Sequence, residues 1–230
     1  MFLKELGEGD KKSIPGIKAV ASNFLNSRYR AVTEDDFQKL AVEATVLDEV
    51  KVKRAIIYDH PDEGKVEIVI ISDRQDKYIT GSEEGKYEIT LDPDVHDEYG
   101  QLVKTVKDYV EVRKLVGTVI KVKAPVYTQI NINVEIICKP HVIVETVIEN
   151  VKGRIMRHLD PLVGGPNRNG WPYNRPLTIY ELAHVIEETT GVERAENIKL
   201  GDEALVKKEI NGLVRLEGLL VRVKRGEQGA

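Results

Sequence analysis

Residues Gln129–Cys138 read QININVEIIC, and the strict alternation of their polar and apolar side chains decides the fold of the second half of the chain. Successive side chains of a β-strand point to opposite faces, so the pattern predicts a strand with one buried and one wet face. The residues predicted to be buried are Ile130, Ile132, Val134 and Ile136.

The residues on either side of this strand predict a mixed α+β domain. Another strand is predicted at Thr118–Tyr127, and Pro125 near its end is expected to bend the chain from one sheet into the next. A helix is predicted from Val142 to Leu159 by the spacing of its apolar residues. The tetrad Thr178-x-x-Glu181 is a capping box at the start of a last helix, which is expected to end at Gly191. Short strands around Ile198–Leu200 and Leu213–Val223 complete this half.

The first half shows a similar combination of helices and strands. Thr33 is a predicted N-cap, followed by the first-turn carboxylates Glu34, Asp35 and Asp36 and by an apolar stripe that begins at Phe37. Two β-branched runs, Val52–Tyr58 and Val66–Ser72, flank a turn composition and predict a hairpin whose second strand is buried on both sides.

A second helix is expected from about Asp97 to Leu115, with Gly117 as its C′ residue. Residues 73–98 are predicted to form an acidic surface insertion, and residues 1–30 an N-terminal arm. The predicted fold class is therefore α+β, with two small consecutive domains over 31–125 and 126–230 whose helices pack on mixed or antiparallel sheets.

The composition excludes several classes of protein. The 230 residues are 41% hydrophobic and 31% charged, which is typical of a globular chain, and the formal net charge is −4. Neither half is basic, so no nucleic-acid partner is expected. The single cysteine, Cys138, excludes an internal disulfide framework, and no apolar run is long enough for a membrane span. The chain is expected to be soluble and cytoplasmic when made.

No pattern of catalytic or metal-binding residues emerges. No pair of the five histidines has the spacing that places two imidazoles on one helix face, and His158 is explained by a favourable position at a helix end. Cys138 and His141 are close in sequence, but a lone cysteine is usually a small buried residue. We therefore predict no catalytic residue, no metal and no cofactor.

The breaker-rich loop Asp160–Pro172 leaves two interpretations open. Its glycines precede a helix, so backbone amides there could hold an anion, as in a small ligand- or anion-binding enzyme domain that uses the segment Gly164–Trp171. However, the phosphate-loop and dinucleotide signatures are both absent, and Pro166 and Pro172 lack amide donors. The favoured interpretation is a shaped surface loop anchored by Trp171, whose indole N–H is expected to find a backbone partner.

Five short motifs, in order along residues 14–200, resemble the baseplate J-like family, the wedge components of contractile phage tails and related injection particles. The N-terminal motif is RAVT-x-x-D-F-x-x-L-A at Arg30–Ala41, and R-x-L-x-G-T follows at Arg113–Thr118. The segment Pro125–Tyr127 is similar to a third motif. The most specific one is PL-x-GG…GWP-x-x-R at Pro161–Arg175, and a last similarity runs from Thr178 to Val192.

This resemblance implies a structural, non-enzymatic subunit that forms a ring around a hub through contacts with copies of itself and with other wedge proteins. Hub or sheath-initiating proteins are further candidate partners, and the chain would end in an assembled phage tail or injection particle. Typical members are longer, so the chain is expected to correspond to their C-terminal portion. The residues expected to set structure or interfaces are Thr33, Asp36, Phe37, Gly117, Pro125, Gly164, Gly165, Gly170, Trp171, Pro172, Arg175, Thr178 and Glu181.

Overall fold

The computed structural model describes residues 30–46, 48–73, 86–87, 93–201 and 205–224, without the side chains of 86–87 and 93–98. Most of the expected arm and of the 73–98 insertion therefore lies outside the described residues. The chain divides into two compact units between Ala124 and Pro125. The second unit also includes Lys86–Tyr87.

Unit 1 begins with helix α1, Glu34–Glu43, whose first turn confirms the cap expected at Thr33. The Thr33 hydroxyl accepts a hydrogen bond from the Asp36 amide at 3.2 Å, and the Asp36 carboxylate accepts one from the Thr33 amide at 2.9 Å. Partial burial raises the pKa of the Asp36 carboxyl, but these bonds outweigh it and the pKa is lowered. Phe37 and Leu40 are buried beneath the helix.

Three strands of unit 1, β1 (Val52–His60), β2 (Lys65–Ser72) and β4 (Val119–Lys123), form a sheet in the order β1-β2-β4. Strands β1, Val52–His60, and β2, Lys65–Ser72, form the expected antiparallel hairpin. A single 3-10 turn joins them and ends at Gly64, whose φ of 57° is in the left-handed region that favours glycine. Every residue of Ile68–Ile71 is fully buried, which confirms that β2 is covered on both sides.

Helix α2, Pro93–Glu111, connects β2 to strand β4, Val119–Lys123. The two strands pair in parallel, so the chain needs a crossover between them, and α2 provides it. The Tyr99 hydroxyl donates a hydrogen bond to the Ile70 carbonyl at 2.6 Å and joins the helix to the sheet. The apolar face expected for this helix is buried at Leu102, Val106 and Val110.

The expected end of this helix is wrong. The helix ends at Glu111 rather than Leu115, and Gly117 is not its C′ residue but part of a later turn, with φ at 92°. Beyond the helix the chain pairs with Ala31 in a parallel bridge at Lys114. A continuing helix could not make this extended pairing, so a tertiary contact overrides the local signal.

Glu67 on β2 lies between two lysines of the same sheet. Its carboxylate pairs with Lys123 of β4 and, at 2.8 Å, with Lys65. The hydrogen bonds from Lys123 and Lys65 hold the pKa of Glu67 at about 2. The ionised carboxylate therefore helps to join the parallel strands β2 and β4.

Strand β5, Tyr127–Cys138, is the central strand of unit 2. Strand β9, Leu213–Val223, pairs in parallel along one side of it. The other side carries two antiparallel partners, β7 (Val192–Leu200) and the short β3 (Lys86–Tyr87). The alternation predicted for β5 is confirmed, because the apolar set is buried while Asn131 is exposed.

Two helices of unit 2 pack on the buried face of β5. Helices α3, Val144–Leu159, and α4, Ile179–Glu187, contribute to one core with the strand. Two short strands, β6 (Leu177–Thr178) and β8 (Lys207–Lys208), pair with each other in antiparallel orientation. The α+β class, with helices on one face of a sheet, is thus confirmed. The helical residues of this core include Val147, Val151, Ile155, Leu182 and Ile186.

Several boundaries differ from the sequence-based expectation. Tyr127 opens β5 instead of closing the preceding strand, because β4 already ends at Lys123 and Pro125 lies between strands of two different sheets. Helix α4 ends at Glu187, before Gly191, which forms the turn into β7 with φ at 94°. Strand β7 begins at Val192, because its exposed middle residues hide the usual apolar signal.

We expect Glu67→Gln to lower the free energy of unfolding at pH 7 by about 1 kcal/mol, because two ion pairs are lost. A carboxyl with a depressed folded-state pKa stabilises the fold above its ordinary pKa near 4.5, and this contribution disappears as the pH falls towards 2. Urea titrations at a series of pH values should therefore show wild type and variant converging between about pH 5 and pH 2. Asp35→Asn, which removes an exposed pair on α1, is the control. A difference that is independent of pH would contradict this role of Glu67.

Candidate functional site

The loop that follows α3 is closed by a single residue, Asp160. The Asp160 side chain accepts hydrogen bonds from the amides of Leu162, at 2.7 Å, and Val163, at 2.9 Å. The Asp160 carbonyl accepts two more, from Gly164 and from Trp171, each at 3.0 Å. Both ends of the loop are therefore bound to the same residue at the end of the helix.

The glycines of the loop are required by close backbone packing. A Cβ atom on Gly164 would lie 2.4 Å from the His158 carbonyl oxygen and 2.6 Å from that of Asp160. Gly165 adopts a φ of 74°, and a Cβ there would lie 3.2 Å from the Pro172 ring. Gly170 closes the loop by donating to the Gly164 carbonyl at 2.9 Å. Gly164, Gly165 and Pro172 therefore form one tightly packed contact.

Because of these hydrogen bonds, few backbone amides of the loop could bind an anion. An anion-binding nest needs several free amides that point at the ligand. Here the bonded amides point at loop carbonyls, at Asp160 or at the His158 carbonyl of α3, and the three prolines of the loop have no N–H. The amides that are already bonded are those of Leu162, Val163, Gly164, Gly165, Arg168, Gly170 and Trp171.

Trp171 anchors the loop in the core of unit 2, as the sequence predicts. Its side chain is fully buried within the core cluster. His158 packs edge-on against the indole with ring centroids 5.4 Å apart, and the Arg175 guanidinium lies 4.9 Å from the ring centroid. The tryptophan thus joins the end of α3 to the segment that leads into α4.

Glu181 accepts hydrogen bonds from both groups that pack on Trp171. Its Oε1 lies 2.8 Å from an Arg175 nitrogen and 3.0 Å from His158 Nε2. Burial raises the pKa of Glu181, but the bonds from His158 and Arg175 outweigh it and the pKa is lowered. The carboxylate is therefore held in its ionised form.

The capping box expected at the start of α4 forms only in part. The Thr178 hydroxyl accepts from the Glu181 amide at 3.2 Å, as in a standard N-cap. In the described part of the chain the Glu181 side chain does not return to the Thr178 amide, because it is bound by Arg175 and His158. The expectation of a reciprocal box is therefore wrong, and the glutamate belongs to the loop.

The segment after Trp171 also holds the residues around Pro125. The Tyr173 hydroxyl accepts a hydrogen bond from the Val126 amide at 3.2 Å. The Asn174 amide donates to the Gly212 carbonyl, and the Gly212 amide donates back to Asn174 Oδ1, both at 2.7 Å. A Cβ atom on Gly212 would lie 2.0 Å from the Val126 carbonyl oxygen, so only glycine fits. Two motifs that are far apart in sequence therefore pack against each other.

Most of the expected site residues lie at the start of α1 in unit 1 or around the glycine loop in unit 2, and Pro125 lies between β4 and β5. In unit 1, Thr33, Asp36 and Phe37 form the start of α1, and Gly117 lies in the turn before β4. In unit 2 the structure gathers the glycine loop, its anchor and the cap of α4 into one assembly around Glu181. The residues of this second cluster are Gly164, Gly165, Gly170, Trp171, Pro172, Arg175, Thr178 and Glu181.

Sequence reasoning missed the roles of His158 and Asp160. His158 was explained by the helix end alone, whereas it also binds Glu181 and packs on Trp171. Its partner lies 23 residues away, so no local pattern shows the contact. Asp160 had a usable signal, because aspartate before proline at a helix end favours a side-chain turn.

An open groove of about 880 Å³ lies beside this cluster, between α3, the loop and α4. Its lining carries Arg154 and Arg157 from α3, Arg168 from the loop, and His184 from α4. Arg154 is bound to Glu188, through the Glu188 carbonyl oxygen at 3.0 Å and through its carboxylate. The groove is therefore polar and charged rather than an enclosed apolar pocket.

The other candidate groups do not assemble into a site in the described residues. There, no hydrogen bond joins Cys138 to His141, and burial raises the pKa of the Cys138 thiol. In the same ranges no group of three or more His, Cys, Asp or Glu side chains is arranged to hold a metal ion. None of the described helices has both the length and the apolar composition needed to cross a membrane.

Comparisons with known proteins give matches among solved structures alone. No protein-family model matches the sequence, and no curated protein matches it. Among solved structures, the chain is similar to a chain in the cryo-EM structure of the anti-feeding prophage baseplate, which was six-fold symmetrised. The identity is 9% and the TM-score 0.48, over 95% of this chain and 43% of that chain. The chain thus spans less than half the length of the protein it matches.

We expect Gly164→Ala to destabilise unit 2 by about 2 kcal/mol or more, because its Cβ has no room between the carbonyls at the end of α3. Gly153→Ala is the matched control, since a Cβ on this exposed helical glycine meets nothing within 4 Å. The control should raise the stability by about 0.5–1 kcal/mol. Chemical denaturation of both variants measures the difference, and equal stabilities would contradict the packing described for Gly164.

We expect Glu181→Gln to lower the stability by about 1–3 kcal/mol at pH 7, because two charge-assisted hydrogen bonds are weakened in a largely buried cluster. The lowered pKa of Glu181 means that its contribution is present above the ordinary glutamate pKa and is lost at more acidic pH. Glu149→Gln, an exposed helix pair with Lys152, is the control and should have little effect. Tryptophan fluorescence during urea titration follows Trp171 directly, and a variant as stable as wild type would refute the role of Glu181.

Proposed function

We propose that this chain is a structural subunit of the baseplate of a contractile phage tail or a related injection particle. The main support is the structure of the loop that contains the most specific family-like motif. Its polar backbone groups bind the loop itself, and its tryptophan fills the core. The motif thus encodes a shape, as expected of a scaffold protein.

The other family-like motifs support the same reading, because they also contact one another. In unit 1 the motif at Arg30–Ala41 meets the motif at Arg113–Thr118 where the Ala31 amide donates to the Arg113 carbonyl at 2.9 Å. In unit 2 the segment Pro125–Tyr127 meets the end of the loop motif at Tyr173. In both units the matched residues are caps, turns and pairing points.

A subunit of this kind works by burying surface against neighbours. We propose that it contacts copies of itself and other wedge proteins in a ring around a hub, with hub or sheath-initiating proteins as further partners. A stable contact of this kind buries about 1,600 Å². Candidate surfaces include the 73–98 segment, the Gly164–Trp171 loop and the N-terminal arm.

The structure adds one candidate contact surface in unit 1, where several apolar side chains are exposed around the end of α2 and the start of β4. Clustered exposed apolar residues often mark protein contacts. Val112 is 80% exposed and Val116 fully exposed. The other exposed members of this apolar surface are Val32, Leu115 and Val119.

The alternative of a small anion-binding enzyme domain finds less support. It would use the backbone amides of Gly164–Trp171, and most of these are bonded within the loop. We therefore propose a non-enzymatic role without a cofactor.

The proposal predicts that the chain self-associates or binds the other tail proteins encoded beside its gene. Sedimentation velocity should show association that increases with concentration, and co-expression with wedge, sheath and tube proteins should give co-purification. Val116→Glu should weaken association by about tenfold or more, because a carboxylate would be buried at the contact. Met156→Glu, at an exposed site in unit 2, is the control.

Two results would contradict this function. One is a monomer at every concentration that also fails to co-purify with any tail protein. The other is turnover of a substrate that a point substitution abolishes. A thermal-shift panel of nucleotides, phosphates and divalent metals tests the ligand-binding alternative in parallel.

A further inference from the structure

The charges of the groove beside the glycine loop are unevenly compensated. Its three lining carboxylates all have basic partners: Glu149 pairs with Lys152, Glu181 with Arg175 and His158, and Glu188 with Arg154 and His184. In the described part of the chain, the guanidinium groups of Arg157 and Arg168 have no carboxylate partner. The groove therefore presents two uncompensated positive charges.

The backbone at Arg168 is unusual for an arginine. Its φ is 55°, in the left-handed region that glycine and asparagine adopt most readily, and asparagines lie on either side of it. The Arg168 amide donates to the Gly165 carbonyl at 3.2 Å, so the loop fixes the backbone there. The side chain is exposed, and within the described residues it forms no ion pair that would offset the cost. This arrangement places a guanidinium at the groove from a rigid loop.

We propose that this groove binds an acidic, carboxylate-bearing segment of a partner protein. Arg157 and Arg168 would each bind a carboxylate, for which the planar guanidinium is well suited. Asn150, Thr189 and Thr190 line the same groove and offer neutral polar groups to a peptide backbone. The inference rests on the proposed function for its partner class, a neighbouring protein of the assembly.

The same observations disfavour other anions. The groove volume of about 880 Å³ far exceeds that of a phosphate, and most of the loop amides that could hold a phosphate already donate to other groups of the chain. A nucleic acid would meet only two uncompensated arginines, together with three carboxylates, on a chain of net charge −4. A peptide segment with spaced carboxylates matches this mixed lining.

Fluorescence anisotropy with the purified chain tests the proposal. The probe is a labelled ten-residue peptide of alternating glutamate and glycine, and a glutamine–glycine peptide is its neutral counterpart. We expect the acidic peptide to bind about tenfold more tightly than the neutral one, and its binding to weaken at high salt. Because no assembled particle is needed, peptide binding can be found or lost independently of the baseplate assignment.

Three variants separate the groove from general charge effects. Arg168→Gly should weaken peptide binding by about fivefold or more while the Tm stays equal or rises, because glycine suits the left-handed backbone. Arg157→Gln should weaken binding to a similar extent. Arg222→Gln removes an exposed arginine of β9 that does not line the groove, and it should change binding less than about twofold.

The proposal is overturned if the two peptides bind equally, if Arg222→Gln loses as much affinity as the groove variants, or if no binding occurs. Tighter binding of a single-stranded oligonucleotide, or competition by millimolar inorganic phosphate, would assign the groove to another ligand. If Arg168→Gly lowers the Tm, its loss of binding could come from unfolding. Arg168→Gln then tests the role of the charge, because it keeps a side chain at the same backbone position. Unchanged peptide binding by Arg168→Gln would then refute the proposal.

Discussion

The lack of space at Gly164 is the constraint on which unit 2 depends. Three carbonyls at the end of α3, those of Arg157, His158 and Asp160, converge on the position where a Cβ atom would lie, so the chain can close there only through glycine. Closure directs Trp171 back to the Asp160 carbonyl and into the core. Once the indole is buried, Arg175 lies against its ring and can bind Glu181 in the first turn of α4. One steric condition thus determines how loop, core and helix meet.

The local signals in the sequence are reliable where the partner is also local. The alternation at Gln129–Cys138 and the cap at Thr33 each depend on residues within a few positions, and both form as expected. The failures share a different cause. Helix α2 ends early because the chain beyond it pairs with Ala31. The Glu181 side chain binds His158 instead of the Thr178 amide, and the position of His158 in the sequence does not indicate this contact.

Parallel strand pairing occurs in both units. In unit 1 the strands β2 and β4 are parallel, and in unit 2 β5 and β9 are parallel, so each pair needs a long crossover between its members. The crossover returns the chain to its starting edge, where turns such as those at Gly117 and Gly212 must fit. The residues at these turns are therefore constrained by backbone geometry, since both glycines have a φ of about 90°.

A rigid loop also affects what the neighbouring groove can do. Binding a partner costs conformational entropy when the binding side chains must first be ordered. Arg168 sits on a backbone that Gly165 and Gly170 already fix, and Arg157 sits on a regular helix, so ordering their backbones adds no cost at the moment of binding. The left-handed backbone at Arg168 disfavours the folded state slightly, but it is present whether or not a partner binds. The conformational cost at Arg168 therefore lowers the stability of the fold and does not weaken partner binding. The two arginines can still attract an acidic partner electrostatically.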